Sequence, residues 1–383
     1  MTANRHSLFT IRYSLFALLW LSFALPQPTL AAEEEGGGVD VSGLVFGHIR
    51  DAYEWHITTV GHNHVTIYLP VMVYSSRTGW HVFSSRELHH HDGCYDGLQL
   101  AGAGSMYEGR LVEIDEAGNE VRPWDFSLTK VALALLINSA LVLIIILTAA
   151  RWYRRHPEGK TAPGGFVGLV EMLVMSINDD VIKACVGPNY RKFAPYLLTA
   201  FFFIFVNNLM GLLPIFPGGA NVTGNIAITM TLAVCTFLAV NIFGTKVYWK
   251  DIFWPDVPWW LKAPLPIMPL IEFIGMFTKP FALMVRLFAN MLAGHMAMLV
   301  LTSLIFISAS MGPALNGSMT VASVVFNLFM NALELLVAFI QAYVFTMLSS
   351  VFIGLAQAQH EGGHEEGKGH EAALSAERAE GAE

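Results

Sequence analysis

The chain has 383 residues, of which 54% are hydrophobic and only 14% charged, and its mean hydropathy is +0.50. Soluble domains carry about 25% charged residues, so this balance excludes an ordinary water-soluble enzyme. A formal charge of −8 argues against nucleic acid, and three dispersed cysteines (Cys94, Cys185, Cys235) give neither a disulfide framework nor a zinc site. A polytopic, all-α membrane protein remains.

Residues 1–31 read as a secretory signal. Arg5 and Arg12 supply the positive start, SLFALLWLSFAL (14–25) the apolar core, and Thr29, Leu30 and Ala31 a cleavage site. That core is shorter than the roughly 20 residues a bilayer span needs; an uncleaved anchor is the alternative. A signal implies bacterial-type export and an extracytoplasmic N-terminus. After the linker EEEGGGVD, residues 32–125 form an extracytoplasmic domain, β-rich because runs such as VTIYLPVMVYSS and GWHVFSS alternate between Gly and Asp turn signals. Eight of the 14 histidines lie here, including the run His89, His90, His91. Their spacing matches no metal-ligand pattern, and solvated surface histidines are the simpler reading; no metal and no cofactor is assigned.

The membrane domain spans residues 126–359. Apolar runs place helices at 128–150, 193–213, 222–243, 266–308 and 319–357, about five in all. Residues 166–183 are apolar at helical spacing but carry Glu171, Asp179, Asp180 and Lys183, which suits an amphipathic helix at the interface. Arg151, Arg154 and Arg155 after the first span, and Lys246 and Lys250 after the third, put those ends on the cytoplasmic side. The segment WPDVPWWLKAPLPIMP suits an interfacial re-entry. The last two runs approach 40 residues each and require strong tilt, or a kink at Pro280, in a hairpin. Residues 360–383 are polar and acidic, a disordered cytoplasmic tail.

Between Pro280 and Gln359 only Arg286 and Glu334 carry a formal charge, and His295 is the sole histidine. A charge at the centre of a span costs about 2.5–3.5 kcal/mol even on insertion scales, so it faces a partner, a cavity or an ion path. A structural Arg286–Glu334 ion pair is the plainer alternative. Asn290 (i+4) and Ala293 (i+7) share a stripe with Arg286; Glu334, Ala338, Gln341 and Phe345 form another on the next helix. Ala289, Ala293 and Gly294 permit close approach of a further helix. Glutamate and histidine pass protons, whereas arginine stays charged. Glu272, 14 residues before Arg286, returns to the same general face, either lining a second aqueous access or standing as an interfacial carboxylate beside Lys279.

The run T-K-P-x-x-L-x-x-R-L-F-A-N-M-x-A-G-H (278–295) resembles the signature of subunit a of F-type ATP synthases. Asn208 to Pro214 (NLMGLLP), Thr223-Gly224-Asn225-Ile226 followed by TMTLA, and Glu334 through Gln341-Ala-Tyr-Val-Phe support it, so the resemblance covers about residues 125–357. It implies a proton-translocating stator subunit of the bacterial inner membrane, with no catalysis of its own, whose final hairpin faces the ring of c subunits. It also implies b subunits and the F1 sector as partners. Arg286 resembles the essential arginine that discharges each passing c-subunit carboxyl and prevents a short-circuit between two half-channels. Asn290, His295, Glu334 and Gln341 resemble the lining of the outer half-channel, and Glu272 the acid of the cytoplasmic one. In some members the glutamate and histidine exchange positions, which implies that the two side chains touch. The long N-terminal domain departs from the family pattern.

A proton-coupled secondary transporter would use the same Arg/Glu/His set but predicts internal repeats, which the sequence does not show. A haem-bearing subunit needs paired histidines at membrane depth. An adhesion or receptor protein explains residues 40–125 and leaves the buried charges unexplained.

Overall fold

The computed structural model describes residues 51–60, 63–91, 93–102, 104–115, 118–156, 163–213, 218–253, 267–308 and 312–357. The expected signal segment and acidic tail lie outside them, as does most of the Trp- and Pro-rich segment.

The N-terminal part is β-rich. Its strands are β1 (Glu54–Val60), β2 (Asn63–Tyr68), β3 (Pro70–Ser75) and β4 (Gly79–Ser84), then, after the short helix α1 (Ser85–His90), β5 (Cys94–Tyr95), β6 (Leu98–Leu100), β7 (Leu111–Ile114), β8 (Glu120–Val121) and β9 (Trp124–Asp125). They form a β1–β2 hairpin, a β4–β3–β9 sheet and a β5–β6–β7–β8 meander, all antiparallel. Period-two alternation in β3 turns Val71, Val73 and Ser75 inward and Pro70, Met72 and Tyr74 outward. The inward residues join Tyr53, Leu88, Leu98 and Leu111 in one core. The Tyr53 hydroxyl donates to Asp125 of β9 and accepts from the Leu111 amide of β7 at 3.3 Å, tying two sheets together.

Chain and domain meet at the start of α2 (Lys130–Arg155). Thr129 caps this helix by accepting from the Ala132 amide at 3.3 Å. Asp51 accepts from the Val131 amide at 3.1 Å, and the Ala52 carbonyl accepts from the Lys130 amide at 2.9 Å. A carboxylate and a carbonyl thus satisfy two of the helix's free N-terminal amides, where the helix dipole favours negative charge. Trp55 of β1 packs with Ala134 of the helix and with Ala220 and Val222, which makes the junction apolar as well.

Beyond it the chain is helical: α3 (Gly165–Ser176), a π-helical turn (Ile177–Ile182), α4 (Lys183–Val186), a 3-10 turn (Gly187–Asn189), α5 (Tyr190–Leu212), α6 (Ile226–Ile242), α7 (Lys246–Phe253), α8 (Ile267–Ser308) and α9 (Pro313–Gln357). Among the described residues, four helical runs are long and apolar enough to cross a membrane: Lys130–Arg155, Gly165–Leu212, Pro269–Ile305 and Leu315–Gln357. A fifth is present if α6 and α7, bent by 101° at their junction, count as one broken span. The chain is therefore a multi-pass membrane protein. The amphipathic segment expected over residues 166–183 runs on almost continuously into α5. Its apolar stripe (Val170, Ile177, Val181, Ile182, with Val186 beyond) is buried, four of the five in the main helical core, while Asp179 and Asp180 stay exposed. Contact with α9 rather than a lipid surface therefore covers much of that stripe. The span expected from residue 222 starts later, because Asn225 caps α6 by accepting from the Ala227 amide at 3.0 Å.

The bundle core is Phe- and Leu-rich, with Leu197, Phe201 and Ile204 of α5 against Leu283 and Leu287 of α8 and Ala342, Phe345 and Ile353 of α9. One polar clamp crosses it: Asn138 of α2 donates to the Asn207 side chain of α5 at 2.9 Å. Gly354 lets α9 reach the backbone of α4, since a Cβ there would overlap the Cys185 carbonyl oxygen.

Two outcomes follow from this packing. Gly354→Val should destabilise the bundle by about 1–3 kcal/mol through overpacking, seen as a lower melting temperature in detergent. In the β-rich part, burial, then the hydrogen bond to Asp125 and that carboxylate's charge, raise the Tyr53 hydroxyl above its ordinary value of 10.0. A group raised on folding stabilises below its unfolded value and loses that contribution as pH rises past it. Limited proteolysis between residues 93 and 125 should therefore accelerate above about pH 10. Tyr53→Phe should cost about 1 kcal/mol at neutral pH and flatten that alkaline rise.

Candidate functional site

The site lies where α8 and α9 face each other. Ala338 and Ala342 of α9 are fully buried, which brings the two backbones close enough for short polar side chains to meet. Asn290 donates to the Gln341 side-chain oxygen at 2.8 Å. Farther along α8, His295 Nδ1 stands 3.3 Å from Glu334 Oε1. A Cβ on Gly294 would fall 2.7 Å from the Glu334 carboxyl carbon, so glycine at that position is what admits the carboxylate. Four of the six residues singled out from the sequence thus meet as two cross-helix pairs.

The second pair is held on all sides. His295 Nδ1 also lies 3.2 Å from the Met291 carbonyl oxygen, and Nε2 lies 3.1 Å from the Gly211 carbonyl oxygen at the end of α5. A neutral imidazole donates from one nitrogen only; donation at both requires the imidazolium. Glu334 is 5% exposed, and among the described residues neither carboxylate oxygen has a conventional hydrogen bond, leaving His295 as its near partner. The plainer reading of an Arg286–Glu334 ion pair is thereby replaced: the carboxylate faces the histidine.

Arg286 lies elsewhere on the stripe. It is exposed, as are Ala282, Ala289, Asn290 and Ala293 around it, so the guanidinium stands on a shallow face of small side chains. Among the described residues it makes no ion pair. A cavity of about 350 Å³ runs from it past Leu283 and Lys279 to Thr278, with Leu348 and Phe352 of α9 as the other wall. Glu272 is about 21 Å below Arg286 along the helix axis. It is half-buried, and no Glu272–Lys279 ion pair forms among the described residues. The Lys279 amine stands 5.9 Å over the Phe352 ring instead. Glu272 is therefore not brought into contact with the other five.

On the opposite axial side of Arg286 a second cavity, about 270 Å³, reaches His295. Asn221, Thr302, Asn327 and Asn331 contribute polar walls. Asn327 donates to the Thr302 hydroxyl at 2.8 Å, and Asn331 to the Asn327 carbonyl at 3.0 Å. That volume matches several waters at about 30 Å³ each. Sequence reasoning missed these residues, although Asn327, Asn331, Glu334, Ala338 and Gln341 fall on one helical stripe; extending it two turns toward the start of α9 would have found both asparagines. Asn208 and Thr223, which supported the family resemblance, serve as braces. Thr223 donates to the Asn208 side-chain oxygen at 2.7 Å, and Asn208 donates to the Ala338 carbonyl at 3.4 Å. Among the described residues no group of three His, Cys, Asp or Glu side chains is arranged to hold a metal ion.

Residues 135–354 match the family model described as ATP synthase A chain, and residues 44–126 match one described as a domain of unknown function (DUF8433). ATP synthase subunit a of Chlorobium phaeobacteroides (strain DSM 266) is 45% identical over 255 residues, covering 64% of this chain and 70% of that one. The subunit a of Chloroherpeton thalassium is 43% identical over 258 residues (66% and 72%), and that of Myxococcus xanthus 37% over 254 residues (64% and 78%). With its arginine, histidine and glutamate arranged along two long packed helices, the chain belongs to the ATP synthase subunit a family.

Proposed function

We propose that this chain is the proton-translocating stator of an F-type ATP synthase, passing protons to and from a rotating c-ring through two half-channels. The observation that carries this reading is the placement of two cavities on opposite axial sides of an exposed arginine, one of them reaching His295, the near partner of Glu334. A proton arriving through the Asn- and Thr-lined cavity meets an imidazole whose second nitrogen is set against a carbonyl. It passes to Glu334, which the low-dielectric surroundings leave with one near partner. Asn290 and Gln341 then extend the polar stripe about two turns toward Arg286.

Arg286 does not itself relay the proton, since its guanidinium does not deprotonate in proteins. A fixed cation on an open small-residue face instead lowers the free energy of a carboxylate brought opposite it. A carboxyl on a passing c subunit would lose its proton there, and the same charge would repel protons from a direct path between the cavities. Release toward Glu272 completes the transfer. Each charge crossing 100 mV yields about 2.3 kcal/mol, so several transfers are needed per ATP. The chain is a member of the ATP synthase complex and catalyses nothing alone; the c-ring, b subunits and F1 sector are its proposed neighbours. We place it in the bacterial inner membrane, with residues 1–31 as an export signal, the N-terminal domain outside and the C-terminal tail in the cytoplasm. The positive residues after the first and third spans support that orientation. A proton-coupled secondary transporter has no comparable support.

Arg286→Ala in the intact complex should abolish ATP-driven proton pumping in membrane vesicles, followed by the quenching of a pH-sensitive dye; coupled pumping at wild-type rate would overturn the assignment. His295→Glu and Glu334→His should each reduce pumping at least tenfold, and the double variant should recover part of the loss. Failure of the double variant to exceed either single one would show that the two side chains do not act as a pair.

A further inference from the structure

The β4–β3–β9 sheet is apolar on both faces. Val71, Val73 and Phe83 of its inner face contribute to the domain core. The outer face carries Pro70, Met72 and Tyr74 from β3, Val82 and Trp80 from β4, and Trp124 from β9, with Phe126 two residues on. Strand register makes this one surface, since Tyr74 is opposite both Trp80 and Trp124, and Met72 is opposite Val82. Centroids of Tyr74 and Trp80 are 5.2 Å apart, and those of Trp80 and Phe126 5.9 Å. Trp80, Val82, Trp124 and Phe126 are 63%, 68%, 71% and 59% exposed. No charged side chain occupies an outward position on these strands. Contiguous apolar patches of this kind mark an interaction surface.

Its position fixes the partner. The Phe126 amide donates to the Met72 carbonyl at 2.9 Å and the Leu128 amide to the Pro70 carbonyl at 3.2 Å, so the sheet continues to within one residue of the Thr129 cap of α2. Phe126 is thus about 13 Å of extended chain from the first residue of a membrane-spanning helix. The polar interface on each side of the hydrocarbon is about 5–8 Å thick. The bonds from Val131 to Asp51 and from Lys130 to Ala52 hold the domain against that helix end. Tryptophan and tyrosine, apolar rings with one polar edge, are the side chains that favour the headgroup level. We infer that the Met72–Tyr74–Trp80–Val82–Trp124–Phe126 face rests on the lipid headgroup–acyl boundary of the leaflet that α2 enters, so that the N-terminal domain is a membrane-lying platform. The chemistry is that of a zwitterionic or mixed phospholipid surface, because the face offers rings and aliphatic groups and no basic cluster.

The test uses the full chain with Cys94→Ser, Cys185→Ser and Cys235→Ser, reconstituted into vesicles of phosphatidylcholine and phosphatidylglycerol. A nitroxide is attached through Val82→Cys, Trp124→Cys or, as a control, Met106→Cys, a position 91% exposed away from these strands. Collisional relaxation by oxygen, which concentrates in lipid, is compared with that by a water-soluble nickel chelate. The oxygen-to-nickel ratio at positions 82 and 124 should exceed that at 106 several-fold. Equal ratios at all three positions would overturn the proposal. So would labels at 82 and 124 shielded from both reagents, since a protein partner would then cover the face. Because both labelled positions are on the exposed side of the sheet, labelling leaves the core intact; a second label guards against one local distortion.

Discussion

A carboxylate and an imidazole in van der Waals reach of each other, inside a helical bundle, depend on the absence of a β-carbon at position 294. Gly294 leaves room for the Glu334 carboxyl between α8 and α9, where a Cβ would fall 2.7 Å from the carboxyl carbon. Burying either polar group alone in the membrane costs several kcal/mol. Together they offset part of that cost, and the Met291 and Gly211 carbonyls hold the ring in place. The pair tolerates burial because its electrostatics are local, and neither oxygen of Glu334 is fixed by a conventional hydrogen bond.

Arg286 shows the opposite solution. It has no partner among the described residues and is not buried; small neighbours keep it open to whatever lies on that face. A cation left unsatisfied by its own chain stays available to an incoming charge, since no internal ion pair competes for it. Directing Glu334 to His295, on the far side of the α8–α9 contact, removes the nearest competitor. Length serves the same end. At 42 and 45 residues, α8 and α9 run about twice the thickness of the hydrocarbon core. That leaves room along their length for a cavity, an arginine and a second cavity in sequence.

Much of this was legible from residues alone because membrane sequences make charge scarce. Arg286, His295 and Glu334 stand out against an apolar background, and helical periodicity is enough to set Asn290 beside Arg286 and to place Glu334 and Gln341 on one stripe. Which residues pair across helices is a different kind of information, since it depends on the axial register of α8 against α9. Periodicity says nothing about that register, so the His295–Glu334 contact was expected only from the exchange of the two residues in the resembled family, with an Arg286–Glu334 pair as the alternative. The Asn327, Asn331 and Thr302 lining escaped for a related reason: uncharged amides raise little alarm in a hydropathy profile, yet they are what makes a cavity wet. The interfacial helix expected over 166–183 was recognised as amphipathic, but an apolar stripe looks the same in sequence whether lipid or another helix covers it.

The N-terminal domain carries this ambiguity in its sharpest form. Alternation in β3 and β4 predicts one buried and one solvated face, and a polar outer face would be the ordinary outcome for an antiparallel sheet over a core. Here the outward set is Met72, Tyr74, Trp80 and Val82, so alternation of hydrophobicity nearly vanishes while alternation of burial persists. Strands apolar on both faces occur where both faces are covered. Since β9 leads within a few residues into α2, and Asp51 and Ala52 fasten the domain to that helix end, covering the second face requires only that the domain lean against the bilayer its own helix enters.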